Sequence, residues 1–174
     1  MPAREIVLLG DRILRDRARE VDDFDQSLRD LVRDMFITMA TAEGAGLAAP
    51  QVGVSIRVLV ADVRSEEEEG GGNVAVVNPR IVERSSEEDR TSEGCLSIPG
   101  VTEVVSRPAQ VVVEGLNPEG AAIRIEASGL MSRVLQHEVD HLDGVLFVDR
   151  LSPLKRQMLL KKYRKLRVEE EAAV

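Results

Sequence analysis

The chain has 174 residues, a net charge of −8 and one cysteine, a length that suits a single domain over 1–174 with a core that needs no staples. The negative charge argues against a general nucleic-acid binder, since neutralising phosphates takes a basic surface. The lone thiol excludes an intrachain disulfide and fits a reducing compartment.

The N-terminus leads into a short apolar stretch, Ile6 to Leu9, with no longer hydrophobic region or small-residue cleavage site behind it, so it does not read as a signal peptide. Charges interrupt every later apolar run, which argues against a membrane span. The expectation is a soluble, cytoplasmic protein with no membrane partner.

Leu28, Leu31, Val32, Met35, Phe36 and Met39 recur at i, i+3, i+4, i+7, i+8 and i+11, the stripe of an amphipathic helix, with Asp25 as its N-cap. Gly44 and Gly46 end that helix. Residues 46–53 read as a loop or extended segment, and Ile56 to Val63 as a strand. Residues 65–73, rich in Glu and Gly, form a solvated loop. Val74 to Val82 is a second strand, and Glu83 to Thr91 a second polar loop. Gln110 to Gly115 and Ala121 to Glu126 form a hairpin around Asn117-Pro118-Glu119-Gly120.

Gly129 to Leu142 is predicted helical, with Leu130, Val134 and Leu135 on its buried face and Gly144 as its stop signal. Ser152-Pro153 opens a C-terminal helix over 152–168 with Leu154, Met158, Leu159 and Leu166 as its apolar face, followed by a tail at 169–174. Residues 151–174 hold seven Lys or Arg against three Glu, a local +4 that leaves −12 on the rest. This basic helix has two readings, a solvated face or a contact to a polyanionic partner.

Both histidines stand in His137-Glu138-Val139-Asp140-His141, an H-E-x-x-H run. On a helix, residues i and i+4 share a face, so two imidazoles at this spacing can grip one metal ion with Glu138 beside it. The plainer reading is two ordinary histidines of an amphipathic helix. A metal needs a further protein ligand, and no histidine follows His141. Cys95 is the remaining soft donor, suited to Fe²⁺, Zn²⁺ or Co²⁺. Cys95, His137 and His141 would leave one tetrahedral position open, which favours catalysis over a closed structural site. Cys95 also reads as a small buried apolar residue, or as a nucleophile paired with histidine.

An open metal site lowers the pKa of bound water, and Glu138 can remove its proton and later deliver one to a leaving group, which is hydrolysis of a carbonyl compound. Gln51 offers a neutral amide donor for an oxyanion. A zinc endopeptidase is the rival enzyme reading, weakened by the missing downstream ligand. A non-catalytic metal-binding protein is the alternative from another class.

Three segments, Gly44-Ala45-Gly46-Leu47-Ala48-Ala49-Pro50-Gln51, Glu93-Gly94-Cys95-Leu96-Ser97 and Gln136-His137-Glu138-Val139-Asp140-His141-Leu142, resemble the peptide deformylases in sequence and order. The stretch from Leu14-Arg15 to Val21 and the pair Arg107-Pro108 are also similar. The resemblance implies an α+β fold: a central helix bearing His137 and His141 packs among small, mostly antiparallel sheets, with N- and C-terminal helices and Cys95 on a loop.

It further implies removal of the N-formyl group from formyl-methionyl nascent chains, releasing formate. The cofactor would be one divalent ion, Fe²⁺ by preference, with Zn²⁺, Ni²⁺ or Co²⁺ able to substitute. Metal-bound hydroxide would attack the formyl carbon with Glu138 as base and acid, while the Gln51 side chain and the Leu96 N–H hold the oxyanion. Backbone of Gly44, Ala45, Gly46 and Gly94 would pair with the peptide. The methionine side chain would lie against Leu130, the Arg133 stem, Val134 and His137. The polyanionic partner of the basic helix would be the ribosome, and no sequence-specific nucleic-acid binding is implied. Two segments depart from the pattern: Arg12 stands where proline is common, and Gly100-Val101-Thr102-Glu103 where some relatives carry arginine or an aromatic residue.

Overall fold

The computed structural model describes residues 3–63 and 72–173. Three helices, α1 (Gln26–Thr41), α2 (Gly129–Leu142) and α3 (Pro153–Ala172), are threaded among seven strands. The strands are β1 (Gly46–Ala48), β2 (Val58–Val63), β3 (Gly72–Arg84), β4 (Glu88–Cys95), β5 (Ile98–Pro108), β6 (Gln110–Leu116) and β7 (Ala122–Ser128). Five of them form an antiparallel sheet in the order β1-β2-β3-β6-β7, and β4 and β5 form a separate hairpin. The architecture is α+β.

The sheet is covered on both faces, and its side chains divide accordingly. Alternate residues point to opposite faces of a strand, so Leu59, Ala61 and Val63 of β2 meet α2 while Val58 and Val60 meet α1. That double burial explains why β2 reads as a continuous apolar run. A third apolar cluster joins Ile98, Val101 and Val105 of β5 to Phe147 and to Leu159 and Tyr163 of α3.

Local chemistry sets the helix ends. Asp25 caps α1 by accepting the Leu28 N–H at 3.1 Å, and the Ser152 hydroxyl accepts the Lys155 N–H at 3.3 Å ahead of Pro153 at the first turn of α3. After α2 the chain turns at Gly144, whose φ of +75° and close approach to the Arg15 carbonyl leave no room for a side chain. The Leu142 carbonyl accepts from the Ala18 N–H at 2.9 Å and from Arg57 at 2.8 Å, so the C-terminal end of α2 is anchored to its surroundings.

Several expectations are corrected. Residues 83–91 are not a polar loop: β3 runs to Arg84 and β4 begins at Glu88. Polar residues are accommodated there because both strands are mostly exposed at these ends. Residues 46–53 split into β1 and a 3₁₀ turn, Ala49–Val52, and β2 starts at Val58 rather than Ile56. The predicted loop at 65–73 lies outside the described residues up to 71, and Gly72 and Asn73 open β3.

In α2, burial covers Met131 to Leu142, but Leu130 is 51% exposed at the first turn. In α3, Leu154 and Met158 face outward, whereas Leu159 and Tyr163 are buried, with Leu166 packed beside them. This helix touches the body along one narrow stripe, and only that stripe decides which apolar residues go inside. It continues to Ala172, so 169–172 is helical rather than a tail.

Candidate active site

Seven polar residues of α2, Ser132, Arg133, Gln136, His137, Glu138, Asp140 and His141, are buried. Burying that many polar groups requires partners, and the partners define the site. His137 and His141 bring their Nε2 atoms to 3.2 Å, and Cys95 Sγ lies 3.3 Å from His141 Nε2. The three donor atoms all fall within 4.8 Å of one another. Tetrahedral bonds of roughly 2.1–2.3 Å put ligand atoms about 3.4–3.7 Å apart, so these separations suit one metal ion.

Burial works against a charge on His137, but Glu138, Cys95 and Glu93 outweigh it and raise its pKa, so the cluster favours positive charge at its centre. His137 Nδ1 lies 2.7 Å from Glu93 Oε2, so the carboxylate accepts the Nδ1 proton, and a ring that loses its other proton to a metal presents the Nε2 lone pair to the cluster. Burial drives His141 well below the ordinary imidazole pKa, favouring the neutral ring that a metal ligand must be. Thiolate and imidazoles at these distances form a donor set for a divalent ion, consistent with Cys95, His137 and His141 as ligands.

Cys95 is the last residue of β4, not a loop residue. It follows a register shift after Gly94 and precedes the two-residue turn Leu96-Ser97. That irregularity ends the regular pairing where the thiol must face α2.

Glu93 is the functional residue that sequence reasoning missed. Only 6% exposed, it accepts from Arg107 at 2.8 and 2.6 Å, from Arg133 at 2.9 Å and from His137. Burial alone would favour its neutral form, but the hydrogen bonds of Arg107 and His137 outweigh it and hold its pKa below the usual carboxylate range. Arg107 continues to Asp140 at 3.0 Å, which Arg150 also grips at 2.7 Å. The available signal was an acid two residues before the thiol, with nothing local to say that it faces His137.

Glu138 is 4% exposed, and its Oε1 has no hydrogen-bond partner among the described residues. Burial pushes its pKa up to about 7, the range in which a carboxyl group can both take and give a proton near neutrality. It lies beneath Gly46 of β1, where an added Cβ would come within 2.7 Å of Glu138 Oε2 and 2.6 Å of Val134 Cγ1. Gly46→Ala is therefore expected to displace Glu138 and lower kcat by about tenfold or more, with melting temperature as the control for global damage. Unchanged turnover would show that the strand yields instead.

The predicted substrate residues meet in one cleft of about 470 Å³. Gly44, Ala45, Gly46 and Gly94 line it together with Leu130, Arg133 and Val134, and Gln51, Cys95, Leu96, His137 and Glu138 reach it as well. His141 stands behind them. Arg133 belongs to the Glu93 network through its guanidinium, so its stem is the part suited to apolar contact.

Comparison with known proteins gives a consistent relationship. The family model described as "Polypeptide deformylase" matches residues 3–157. The peptide deformylase of Brucella suis biovar 1 (strain 1330) is 46% identical over 166 residues, 95% of this chain and 94% of that protein. A peptide deformylase from Legionella pneumophila has a crystal structure with 44% identity and a TM-score of 0.89, covering 97% of this chain and 98% of its own. The peptide deformylase of Ehrlichia chaffeensis in complex with actinonin matches with 44% identity and a TM-score of 0.89, covering 95% of this chain and 98% of its own.

Proposed function

The chain belongs to the polypeptide deformylase family, which removes the N-formyl group from nascent polypeptides, and on that premise we propose how its own residues carry the reaction. The observation that carries the reading is the convergence of Cys95, His137 and His141 beside the buried carboxyl of Glu138 in one cleft. Cys95, His137 and His141 would hold one divalent ion, Fe²⁺ by preference, with Zn²⁺, Ni²⁺ or Co²⁺ able to replace it. When bound, such an ion polarises the formyl carbonyl and acidifies water.

Glu138 takes the proton from the attacking water. The water oxygen adds to the formyl carbon, negative charge collects on the formyl oxygen, and the side-chain N–H of Gln51 and the backbone N–H of Leu96 stabilise it. Glu138 then delivers its proton to the departing amine nitrogen as the C–N bond breaks, so formate and a free α-amine leave. The elevated pKa of Glu138 suits both halves of this exchange.

The peptide enters as an extended strand between the Gly44 to Gly46 backbone and Gly94. Its methionine side chain lies against Leu130, the Arg133 stem and Val134, with His137 closing the pocket. Main-chain pairing tolerates varied residues after the first, as a processing enzyme of many nascent chains requires.

The test is anaerobic purification with metal analysis and a formate-release assay on formyl-Met-Ala-Ser. Activity with at least one of Fe²⁺, Ni²⁺, Co²⁺ and Zn²⁺ is expected, and inactivity with all four overturns the reading.

Residues 1–174 act as one catalytic domain in the cytoplasm, where nascent formylated chains arise. No helix among the described residues is long and apolar enough to cross a membrane. The outward face of α3, where Leu154, Met158 and Val168 are exposed beside Lys161 and Lys165, is a solvated face in the first reading and a contact to the ribosome in the second. Deleting α3 would uncover Leu159 and Tyr163, so the cleaner variant is Lys161→Glu with Lys165→Glu. The ribosome reading predicts salt-sensitive ribosome binding that this variant loses; undiminished binding, or none by the unmodified chain, leaves α3 a solvated face.

A further inference from the structure

Gln51 sits in the 3₁₀ turn Ala49–Val52, 1% exposed, and its carboxamide is held at both ends. The Ala48 N–H can only donate, so the Gln51 atom 3.0 Å from it is the oxygen. That fixes the NH₂ group on the opposite side. There Nε2 donates to Ser97 Oγ at 3.0 Å and lies 3.6 Å from Cys95 Sγ. An amide nitrogen has two hydrogens. With one on Ser97, the other is donated to Cys95 Sγ, on the side of the ligand cluster.

Ser97 is fully buried and belongs to the two-residue turn, Leu96-Ser97, that follows Cys95 and carries the Leu96 N–H. Backbone bonds tie the two turns to the N-terminal segment, Val7 N–H to the Gln51 carbonyl and Leu9 N–H to the Ser97 carbonyl, each at 2.8 Å. The turns are thus fixed relative to each other before any side chain is considered. The Ala48 N–H holds the oxygen end of the Gln51 carboxamide, and Ser97 Oγ holds the nitrogen end.

We propose that Ser97 is a positioning residue: its hydroxyl accepts one Gln51 N–H and so keeps the other on the Cys95 side of the amide, from which it can pass to the developing oxyanion. The inference rests on Gln51 being an oxyanion donor and deepens that reading. Preorganised donors stabilise a transition state because no reorientation is needed as charge forms. Without Ser97 Oγ the amide is held at its oxygen by Ala48 but loses the acceptor that fixes its nitrogen, and the donor is present but less well aimed. Ser97 acts through Gln51 and does not itself touch the reacting atoms, so its effect should fall on turnover rather than on substrate binding.

The experiment is a double-mutant cycle with Ser97→Ala and Gln51→Ala, reading kcat, KM, metal content and melting temperature. Ser97→Ala is expected to keep one metal per chain and a KM near wild type while kcat falls about tenfold. In the Gln51→Ala background, Ser97→Ala should cost nothing further, because the group it positions is gone. Equal losses in both backgrounds, or no loss in the wild-type background, would overturn the proposal. Unchanged kcat in Gln51→Ala alone would instead remove Gln51 from the mechanism, so the two failures are distinguishable. If Ser97→Ala does not fold, Ser97→Cys, a weaker acceptor of similar shape, decides: lowered kcat with retained KM supports the role, and wild-type kcat refutes it.

Discussion

Glu138→Gln is expected to retain the metal and to lose about 10²–10⁴-fold in kcat for formyl-peptide hydrolysis. The substitution keeps the shape of the side chain beneath Gly46 but removes a group able to accept and return a proton. Metal content separates this outcome from ligand loss, since Glu138 is not one of the three converging donors. A variant that keeps both metal and turnover would show that the proton passes elsewhere.

Glu93→Ala is expected to produce the largest loss of stability, about 3–5 kcal/mol, because breaking a buried ion pair from one side leaves uncompensated charge. Here it would take the shared carboxylate from two buried guanidinium groups, leaving Arg107 to Asp140 alone and Arg133 to Asp89 and the Val105 carbonyl, and remove the acceptor at His137 Nδ1. Chemical denaturation measures the loss; a variant within about 1 kcal/mol of wild type would mean that Asp140 and neighbouring carbonyls take over.

The pH dependence has a definite sign. Glu93 has a folded pKa below its ordinary 4.5, so its stabilisation is complete above that value and is withdrawn as pH falls towards the folded pKa. The stability gap between wild type and Glu93→Ala should therefore narrow on acidification below about pH 4.5. A gap constant down to the acid transition would show that ionisation of Glu93 contributes nothing.

Much of this molecule could be read from local pattern. The i, i+3, i+4 stripe and the cap at Asp25 placed α1, and the bounds of α2 matched the predicted 129–142, because helices are governed by interactions within a few residues. The β6–β7 hairpin was legible from its Pro and Gly turn for the same reason. Residues 83–91 were misread because their polarity resembles a loop, whereas pairing with β6 and β5 holds most of them in strands. The inward face of α3 was misassigned because its apolar residues exceed what one narrow contact can bury.

The sequence by itself determined that His137 and His141 share a helical face with Glu138 beside them, since a spacing of four residues leaves a helix no other arrangement. Its three motif segments, in order, also pointed to the family. Only the tertiary structure brought Cys95 to His141 across 46 residues, set Glu93 against His137 across 44, and turned Gln51 between Ala48 and Ser97. Those meetings depend on strand register, a bulge at Gly94 and the packing of α2 between sheet and hairpin. Such long-range terms act between residues whose separation along the chain carries no trace of their separation in space.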